Sequence, residues 1–167
     1  MDGLCYALMA SFVRRHLRRK RELSVCDVGS LDVNGSFKPL FGRHKYLGLD
    51  IIEGPNVDMV SKDLYRYPFG DETFDVIISG STIEHVKDMF KWIMELKRIM
   101  KKDGLICIIG PSVFQMNHPH PVDCWRIYPD GMRFLLEEIA GFEVLKIRRT
   151  HSKRGTVMCM GIGRRND

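Results

Sequence analysis

The feature that most constrains the fold is a short apolar run that ends in a turn of small and polar residues. Residues 23–28 carry the β-branched residues Val25 and Val28, and Gly29 follows directly. The Asn-Gly-Ser sequence at 34–36 supplies turn and helix N-cap chemistry. The pattern predicts a buried parallel strand that opens into a ligand-binding turn. The simpler alternative is that Gly29 is only a turn residue.

A second apolar run, residues 46–50, ends in Asp50, which lies 21 positions after Gly29. In a β-α-β nucleotide-binding unit, an acidic residue about 20 positions beyond the glycine turn reaches a ribose hydroxyl. We therefore expect Gly29 and Asp50 to lie at two strand ends that face one nucleoside.

Length and cysteine content favour a single domain in a reducing compartment. The chain has 167 residues, 44% of them hydrophobic, which is enough for a sizeable core. Its five cysteines are odd in number and include no C-x-x-C pair. Most of them lie in apolar runs, where a reduced thiol behaves as a small hydrophobic group. These features predict a cytoplasmic setting.

The net charge of +5 is concentrated at the two ends of the chain. Residues 1–24 carry a net charge of +4 and residues 144–167 carry +6, so residues 25–143 carry 5 − 4 − 6 = −5. An enzyme that acts on nucleic acid would place its positive charge around the active face. Nucleic acid is therefore not the expected partner.

Residues 4–21 have helical spacing of apolar positions followed by a basic run. We predict an amphipathic helix within residues 1–23 that packs its apolar stripe on the domain formed by residues 24–167 and leaves its basic end in solvent. The order of apolar and basic parts is the reverse of a secretory signal, and the apolar part is shorter than the ~20 residues of a membrane span. The alternative is contact with a membrane surface or another anionic partner.

The rest of the chain alternates between apolar runs and turn-forming residues. Gly54, Pro55 and Asn56 exclude a full crossover helix after the second strand. Glu95 is expected to lie away from the apolar stripe of its helix. The predicted elements are strands at 57–60, 74–80 and 105–109, helices at 89–101 and 129–140, a loop at 112–128, and a terminal β-hairpin of 142–149 and 156–162.

This order of elements over residues 24–163 resembles the class I S-adenosylmethionine-dependent methyltransferases. The segment 79–86, which ends in Glu84-His85-Val86, is similar to the family's sequence after the fourth strand. The resemblance implies an α/β fold. Its sheet would be a doubly wound Rossmann-like one, mostly parallel, with an antiparallel C-terminal hairpin strand. The sequence departs from the family in its shortened helices on one side of this sheet. The resemblance also implies S-adenosyl-L-methionine as the cofactor.

Carried over position by position, the resemblance implies cofactor contacts at four strand ends. The residues are Asp27, Gly29, Ser30 and Leu31 at the first, Asp50 and Ile51 at the second, Asp63 and Leu64 at the third, and Ser79, Gly80, Ser81 and His85 at the fourth. The sequence departs from the family's G-x-G-x-G turn, because Leu31 and Val33 replace its second and third glycines. Weaker or differently posed cofactor binding is therefore one alternative, and a catalytically silent descendant is another.

The loop from His118 to Pro129 is similar to an H-P-x-D-Y-W-R-x-T-P pattern of small methyltransferases. The candidate catalytic residues are His85, His120 and Asp123, and the candidate substrate-binding residues are His118, His120, Asp123, Trp125 and Arg126. Asp123 could instead only pair with Arg126, and His85 could only close the adenosine pocket. A metal site at His118, His120 and Asp123 lacks a fourth ligand, so no metal is predicted.

The expected reaction is methyl transfer to a small-molecule or sugar-type acceptor at oxygen. The sequence lacks the Pro-Pro-Tyr/Phe signature of amino-directed methyltransferases after the fourth strand, and it has no Pro-Cys nucleophile. Two other functions remain as alternatives: a non-catalytic interaction protein that uses the basic ends, and a nicotinamide-dependent oxidoreductase. The terminal hairpin and the missing third glycine oppose the oxidoreductase. The sequence does not indicate an oligomeric state.

Overall fold

The computed structural model describes residues 3–18, 20–113, 122–153 and 155–167. Within them, seven strands form one sheet with the order β3-β2-β1-β4-β5-β7-β6. The strands are β1 (Ser24–Val28), β2 (Lys45–Asp50), β3 (Met59–Val60), β4 (Phe74–Gly80), β5 (Met100–Pro111), β6 (Glu143–His151) and β7 (Val157–Arg164).

The first five strands are parallel, whereas β7 runs antiparallel to both β5 and β6. The expected sheet, mostly parallel with an antiparallel terminal hairpin, is therefore confirmed. The strand order reverses between β1 and β4, and in open α/β sheets ligands bind at such a switch point, beyond the carboxyl ends of the strands.

The helices are few and short, as the sequence predicts. Two of them continue into π-type turns, and the connections after β1 and β4 contain single 3₁₀ turns. The helices are α1 (Gly3–Phe12, continued by Val13–Leu17), α2 (Met89–Ile99) and α3 (Pro129–Arg133, continued by Phe134–Ile139), and the 3₁₀ turns are Lys38–Phe41 and Ile83–His85.

The core lies in two layers, one on each face of the sheet. On one face, α2 and α3 pack on strand residues such as Ile77, with Trp92 at the centre of the cluster. On the other face, α1 covers Val76 and Ile78 with residues that include Phe12. Successive strand residues point to opposite faces, so an uninterrupted apolar strand such as β4 serves both layers.

The basic end of α1 is solvent-exposed at Arg14, Arg15 and Arg18, as expected. Burial lowers the pKa of His16, and the positive charges of Arg15, Lys146 and Arg164 lower it further. The two basic ends of the chain therefore come close together in the fold. Among the described residues, no helix is long and apolar enough to cross a membrane. Contact of this surface with a membrane or another anionic partner stays an alternative that is not tested.

The boundary between α2 and β5 differs from the prediction. The helix ends at Ile99, and β5 begins at Met100, which pairs with Phe74 of β4. Asp103 has a positive φ of 59° within the strand. The Asp-Gly pair at 103–104 marks this irregularity early in β5 and not the end of the helix.

Glu95 is buried, which contradicts its expected position in solvent. Its Oε1 accepts a hydrogen bond from the Tyr67 N–H at 2.7 Å, and its two oxygens accept from the Arg98 guanidinium at 2.6 and 2.8 Å. A buried carboxylate is tolerated when such partners satisfy it. The helical spacing could not reveal this, because Tyr67 is distant in the sequence.

Candidate functional site

A cleft of about 240 Å³ lies beyond the carboxyl ends of β1, β2 and β4. The structure brings many of the predicted site residues together there, although the strands that carry them are separated in sequence. The predicted residues that line it are Gly29, Leu31, Asp50, Ile51, Leu64, Ser81 and His85.

Gly29 is required by the shape of the turn after β1. Its φ of 82° lies in the left-handed region, and a Cβ atom there would lie 2.7 Å from Thr82 Cγ2 and closer still to Thr82 Oγ1. The N–H groups of Gly29 and Ser30 both donate to the Leu49 carbonyl, at 2.8 and 3.1 Å. The turn is therefore more than a chain reversal, because it is held against the end of β2 and against the residues that follow β4.

Leu31 and Val33, which replace two glycines of the family's pattern, line the cleft with negative φ angles. Neither position therefore needs the left-handed backbone that favours glycine. The Leu31 side chain lies against Gly54, where a Cβ atom would collide with Leu31 Cδ1. The turn consequently accommodates both larger residues without backbone strain.

Asp50 joins the ends of β1 and β2 at the wall of the cleft. Its Oδ2 accepts from the Leu31 N–H at 2.9 Å, and its Oδ1 accepts from the Ile51 N–H at 2.7 Å. Oδ1 also accepts from the Ile52 N–H at 3.3 Å. A carboxylate offers about four acceptor positions, so these three bonds leave capacity for a ligand hydroxyl. Asp50 is thus fixed in position with acceptor capacity remaining, which suits a ribose.

Replacing Asp50 with alanine is expected to weaken S-adenosylhomocysteine binding by roughly 10- to 100-fold, because charge-assisted hydrogen bonds to the ribose are worth about 1.5–3 kcal/mol. Isothermal titration calorimetry measures this. Asp50→Asn is the matched control for the turn, since its amide oxygen can still accept from Leu31. Unchanged affinity in folded Asp50→Ala would remove Asp50 from the site.

Four other predicted cofactor residues lie outside the lining of the cleft. Ser79 Oγ donates to the Val28 carbonyl at 2.8 Å, and Ser30 Oγ donates to the Asn56 carbonyl at 3.1 Å. Gly80 packs against Phe37. Asp63 is exposed, and its Oδ1 accepts from the Tyr65 N–H at 2.8 Å. Direct contacts of these residues with a cofactor stay predictions.

Asp27, also predicted to contact the cofactor, is buried beneath the turn at 2% exposure. Its Oδ2 accepts a hydrogen bond from the Tyr46 hydroxyl. Burial raises the pKa of the Asp27 carboxyl from 3.8 to about 7; the Tyr46 bond lowers this pKa, and the nearby negative charge of Asp50 raises it. Asp27 therefore lies beneath the turn, and its carboxyl changes charge near neutral pH.

Because folding raises the pKa of Asp27, its contribution to stability is greatest below pH 3.8 and falls until the pH passes about 7. Asp27→Asn should therefore be more stable than the wild type above pH 7, by at most about 4 kcal/mol, and the gap should shrink as the pH falls. Urea unfolding at pH 5.5 and 8.5 measures the gap. A gap independent of pH would contradict the assignment to this carboxyl.

His85 lines the cleft at the end of β4. Its Nδ1 lies within hydrogen-bond distance of the Val122 carbonyl, so Nδ1 carries the proton and Nε2 is the basic nitrogen. Nε2 lies 3.9 Å from Glu84 Oε1. Burial raises the pKa of Glu84 to about 7; Arg126 lowers it, and Asp123 raises it. His85 thus has its basic Nε2 beside a carboxyl that titrates near neutrality, and its catalytic role stays a prediction.

Asp123 and Arg126 form a two-bond ion pair, with Arg126 Nη2 donating to Asp123 Oδ2 at 2.7 Å and Nη1 donating to Oδ1. The Asp123 side chain is only 2% exposed. This is the geometry of the alternative in which Asp123 mainly pairs with Arg126. Its catalytic role stays a prediction. His118 and His120 lie outside the described residues.

Residues 122–127 are attached to the segment that follows β4. The Cys124 N–H donates to the Glu84 carbonyl, and Trp125 Nε1 donates to the Val86 carbonyl, each at 2.7 Å. Trp125 remains 36% exposed. Its ring therefore lies beside the cleft and remains open to solvent on one side.

Sequence reasoning missed several lining residues, among them Thr82, Val86, Ser61 and Tyr67. Thr82 and Val86 belong to the segment after β4, so their position in the sequence could have identified them as lining residues. Tyr67 gave no signal, because it reaches the cleft only through tertiary packing in which its hydroxyl accepts from Trp92 Nε1 at 3.0 Å. Within the described part of the chain, no group of three or more His, Cys, Asp or Glu residues could hold a metal ion.

Comparisons with known proteins agree with this geometry. Residues 10–108, more than half of the chain, match the methyltransferase domain family. The rice chloroplastic 2-methyl-6-phytyl-1,4-hydroquinone methyltransferase 1 is 30% identical over 115 residues, which cover 64% of this chain and 30% of that protein. The chain thus matches about a third of the length of this relative.

Solved structures share the fold at low sequence identity. A 1,6-didemethyltoxoflavin-N1-methyltransferase from Burkholderia thailandensis, with bound 1,6-didemethyltoxoflavin and S-adenosylhomocysteine, has a TM-score of 0.78 at 17% identity, covering 99% of this chain and 80% of that one. An S-adenosylmethionine-dependent methyltransferase from Aquifex aeolicus has a TM-score of 0.64 at 18% identity, covering 97% and 98%. With the family match, the cleft and the strand order, the chain belongs to the class I S-adenosylmethionine-dependent methyltransferases.

Proposed function

We propose that the chain binds S-adenosylmethionine in the cleft and transfers its methyl group to a small-molecule or sugar-type acceptor at oxygen. The observation that carries this proposal is the meeting of Gly29, Asp50 and His85 in one cavity. A nucleoside-binding carboxylate, a close-approach turn and a base are the groups that such a transfer requires.

The residues present fit the cofactor. Asp50 would hold the ribose hydroxyls, and Leu49, Ile51 and Leu64 would offer an apolar environment for the adenine ring. The turn at Gly29 would hold the amino-acid end of the cofactor. When bound, S-adenosylmethionine supplies an electrophilic methyl group. The protein contributes alignment of the acceptor and removal of its proton.

His85 removes the acceptor proton through Nε2, since its Nδ1 proton faces the Val122 carbonyl. The exposed ring of Trp125 offers a stacking surface for a cyclic acceptor next to the cleft. The names of similar proteins give ring compounds: 2-methyl-6-phytyl-1,4-hydroquinone for the rice relative and 1,6-didemethyltoxoflavin for the Burkholderia neighbour. These names support a small-molecule acceptor.

Four buried free cysteines, Cys5, Cys26, Cys107 and Cys159, support the proposed reducing, cytoplasmic setting. Such thiols behave as small apolar core groups and need no oxidised partner.

Methyl transfer is tested with S-adenosylmethionine labelled in its methyl group and a panel of acceptors: hydroquinones, phenols, sugars, ring amines, nucleic acid and protein. The proposal predicts labelled methyl ethers of a small hydroxyl compound. Label on nitrogen or carbon would contradict transfer to oxygen, and label in nucleic acid or protein would contradict a small-molecule acceptor. Cofactor binding with no transfer to any acceptor would favour a non-catalytic protein.

A further inference from the structure

Pro55 and Asn56, in the connection between β2 and β3, make hydrogen bonds to the turn after β1. These bonds together form a brace that holds the turn. Gly29 and Gly35 are the turn's positive-φ residues, and the two remaining glycine positions of the family's pattern carry Leu31 and Val33. With less intrinsic freedom in its backbone, the turn takes its shape from bonds to its neighbours.

Asn56 makes the side-chain part of this brace. Its Nδ2 donates to the Ser30 carbonyl at 2.8 Å and to the Tyr46 hydroxyl at 3.1 Å, which uses both amide hydrogens. In return, Ser30 Oγ donates to the Asn56 carbonyl at 3.1 Å. The turn and the connection are therefore held in fixed register by reciprocal bonds.

The backbone around Asn56 is shaped to lie against both β2 and the turn. Asn56 has a φ of 69°, a conformation that asparagine tolerates better than most residues. Gly48 of β2 allows this approach, because a Cβ atom there would collide with the Asn56 carbonyl oxygen. The Asp32 N–H donates to the Pro55 carbonyl at 2.9 Å, which adds a direct backbone bond to the turn.

The brace is anchored in the core. The Tyr46 hydroxyl accepts from Asn56 and donates to Asp27, the buried carboxyl beneath the turn. A continuous chain of hydrogen bonds thus runs from the core, through Tyr46 and Asn56, to the Ser30 carbonyl. Such a chain fixes the turn before any ligand arrives.

We propose that Asn56 is a positioning residue that pre-forms the turn after β1 for the amino-acid end of the cofactor, in place of two glycines of the family's pattern. The inference rests on the proposed function, because it assumes that the cofactor extends from Asp50 along this turn. Asn56 itself lies outside the cleft lining and acts through Ser30 and its neighbours.

Calorimetric binding of two ligands to the full chain tests the inference: S-adenosylhomocysteine, and 5′-methylthioadenosine, which lacks the amino-acid part. Asn56→Gly keeps the left-handed backbone accessible and removes the side-chain bonds. S-adenosylhomocysteine affinity should fall by about 10-fold, the effect of one to two ordinary hydrogen bonds, while 5′-methylthioadenosine affinity should change less than about 2-fold.

Asp58→Asn is the matched control. Asp58 lies in the same connection, but its Oδ2 accepts from the Gly48 N–H of β2 at 2.8 Å, and its Oδ1 lies 3.9 Å from Lys38 Nζ, which follows the turn. Both affinities should stay unchanged in this variant. If Asn56→Gly does not fold, Asn56→Asp gives the same comparison, because aspartate also tolerates positive φ and lacks the amide donors.

Equal losses for the two ligands in the Asn56 variant, or no loss for either, would overturn the positioning role. A selective loss in Asp58→Asn as well would assign the effect to general loosening of the connection and would also overturn it. A wild-type protein that binds neither ligand would refute the proposed function itself, and that outcome is visible before any variant is made.

Discussion

Gly29→Ala is expected to lose S-adenosylhomocysteine binding by at least about 100-fold and to lower the melting temperature by roughly 4–24 °C. The added methyl group would strain a backbone with a φ of 82° and collide with Thr82. Overpacking of this kind costs about 1–3 kcal/mol, and the strained backbone adds about 1–3 kcal/mol more. In a chain of this size, 1 kcal/mol shifts the melting temperature by about 2–4 °C. Thermal unfolding and calorimetry measure the two effects.

Gly131→Ala is the control for the same chemical change. Gly131 lies in α3, with no atom within 4 Å of an added Cβ. Alanine there should leave affinity unchanged and raise stability by up to about 1 kcal/mol, since glycine is a poor helix former. Gly29→Ala with wild-type affinity would show that the turn does not approach the ligand closely.

His85→Asn should reduce turnover by about 10²- to 10⁴-fold, the usual effect of losing an acid-base group. Asparagine can still donate to the Val122 carbonyl, as His85 Nδ1 does, but it has no basic nitrogen. S-adenosylhomocysteine affinity should therefore stay within a few-fold of the wild type. Steady-state kinetics with the acceptor found in the labelling assay gives the measurement.

His44→Asn is the matched control, because His44 Nδ1 accepts from the Leu23 N–H at 3.2 Å before the amino end of β2, away from the cleft. Its turnover should equal that of the wild type. If His85→Asn keeps full turnover, His85 only closes the cofactor pocket. The proton of the acceptor hydroxyl would then pass to another group of the acceptor or to solvent.

Much of the architecture was predictable because it depends on local patterns. Continuous apolar runs indicate strands buried on both faces, as in β4, and Gly54, Pro55 and Asn56 forbid a full helix after β2. The spacing between Gly29 and Asp50 predicted that they meet at one cleft, and the structure places both in its lining. The spacing is informative because a short β-α-β unit allows few ways to place the ends of its two strands relative to each other.

The errors and omissions concern tertiary partners. Glu95 reads as a surface residue, but Tyr67 and Arg98 make its burial favourable. The replaced glycines suggested an impaired turn, whereas Asn56, which lies 26 positions after Ser30, holds that turn through the Ser30 carbonyl. No local pattern encodes such partnerships, since they depend on which strands become neighbours.

The most direct test of the central claim is calorimetric titration of the wild-type chain with S-adenosylhomocysteine, followed by a thermal-shift comparison with NADH. A cofactor site in the cleft predicts one binding site per chain, with binding detectable below millimolar S-adenosylhomocysteine, and no stabilisation by NADH. No detectable binding at millimolar S-adenosylhomocysteine would contradict the account, and a thermal shift with NADH alone would replace it with a nicotinamide-binding protein.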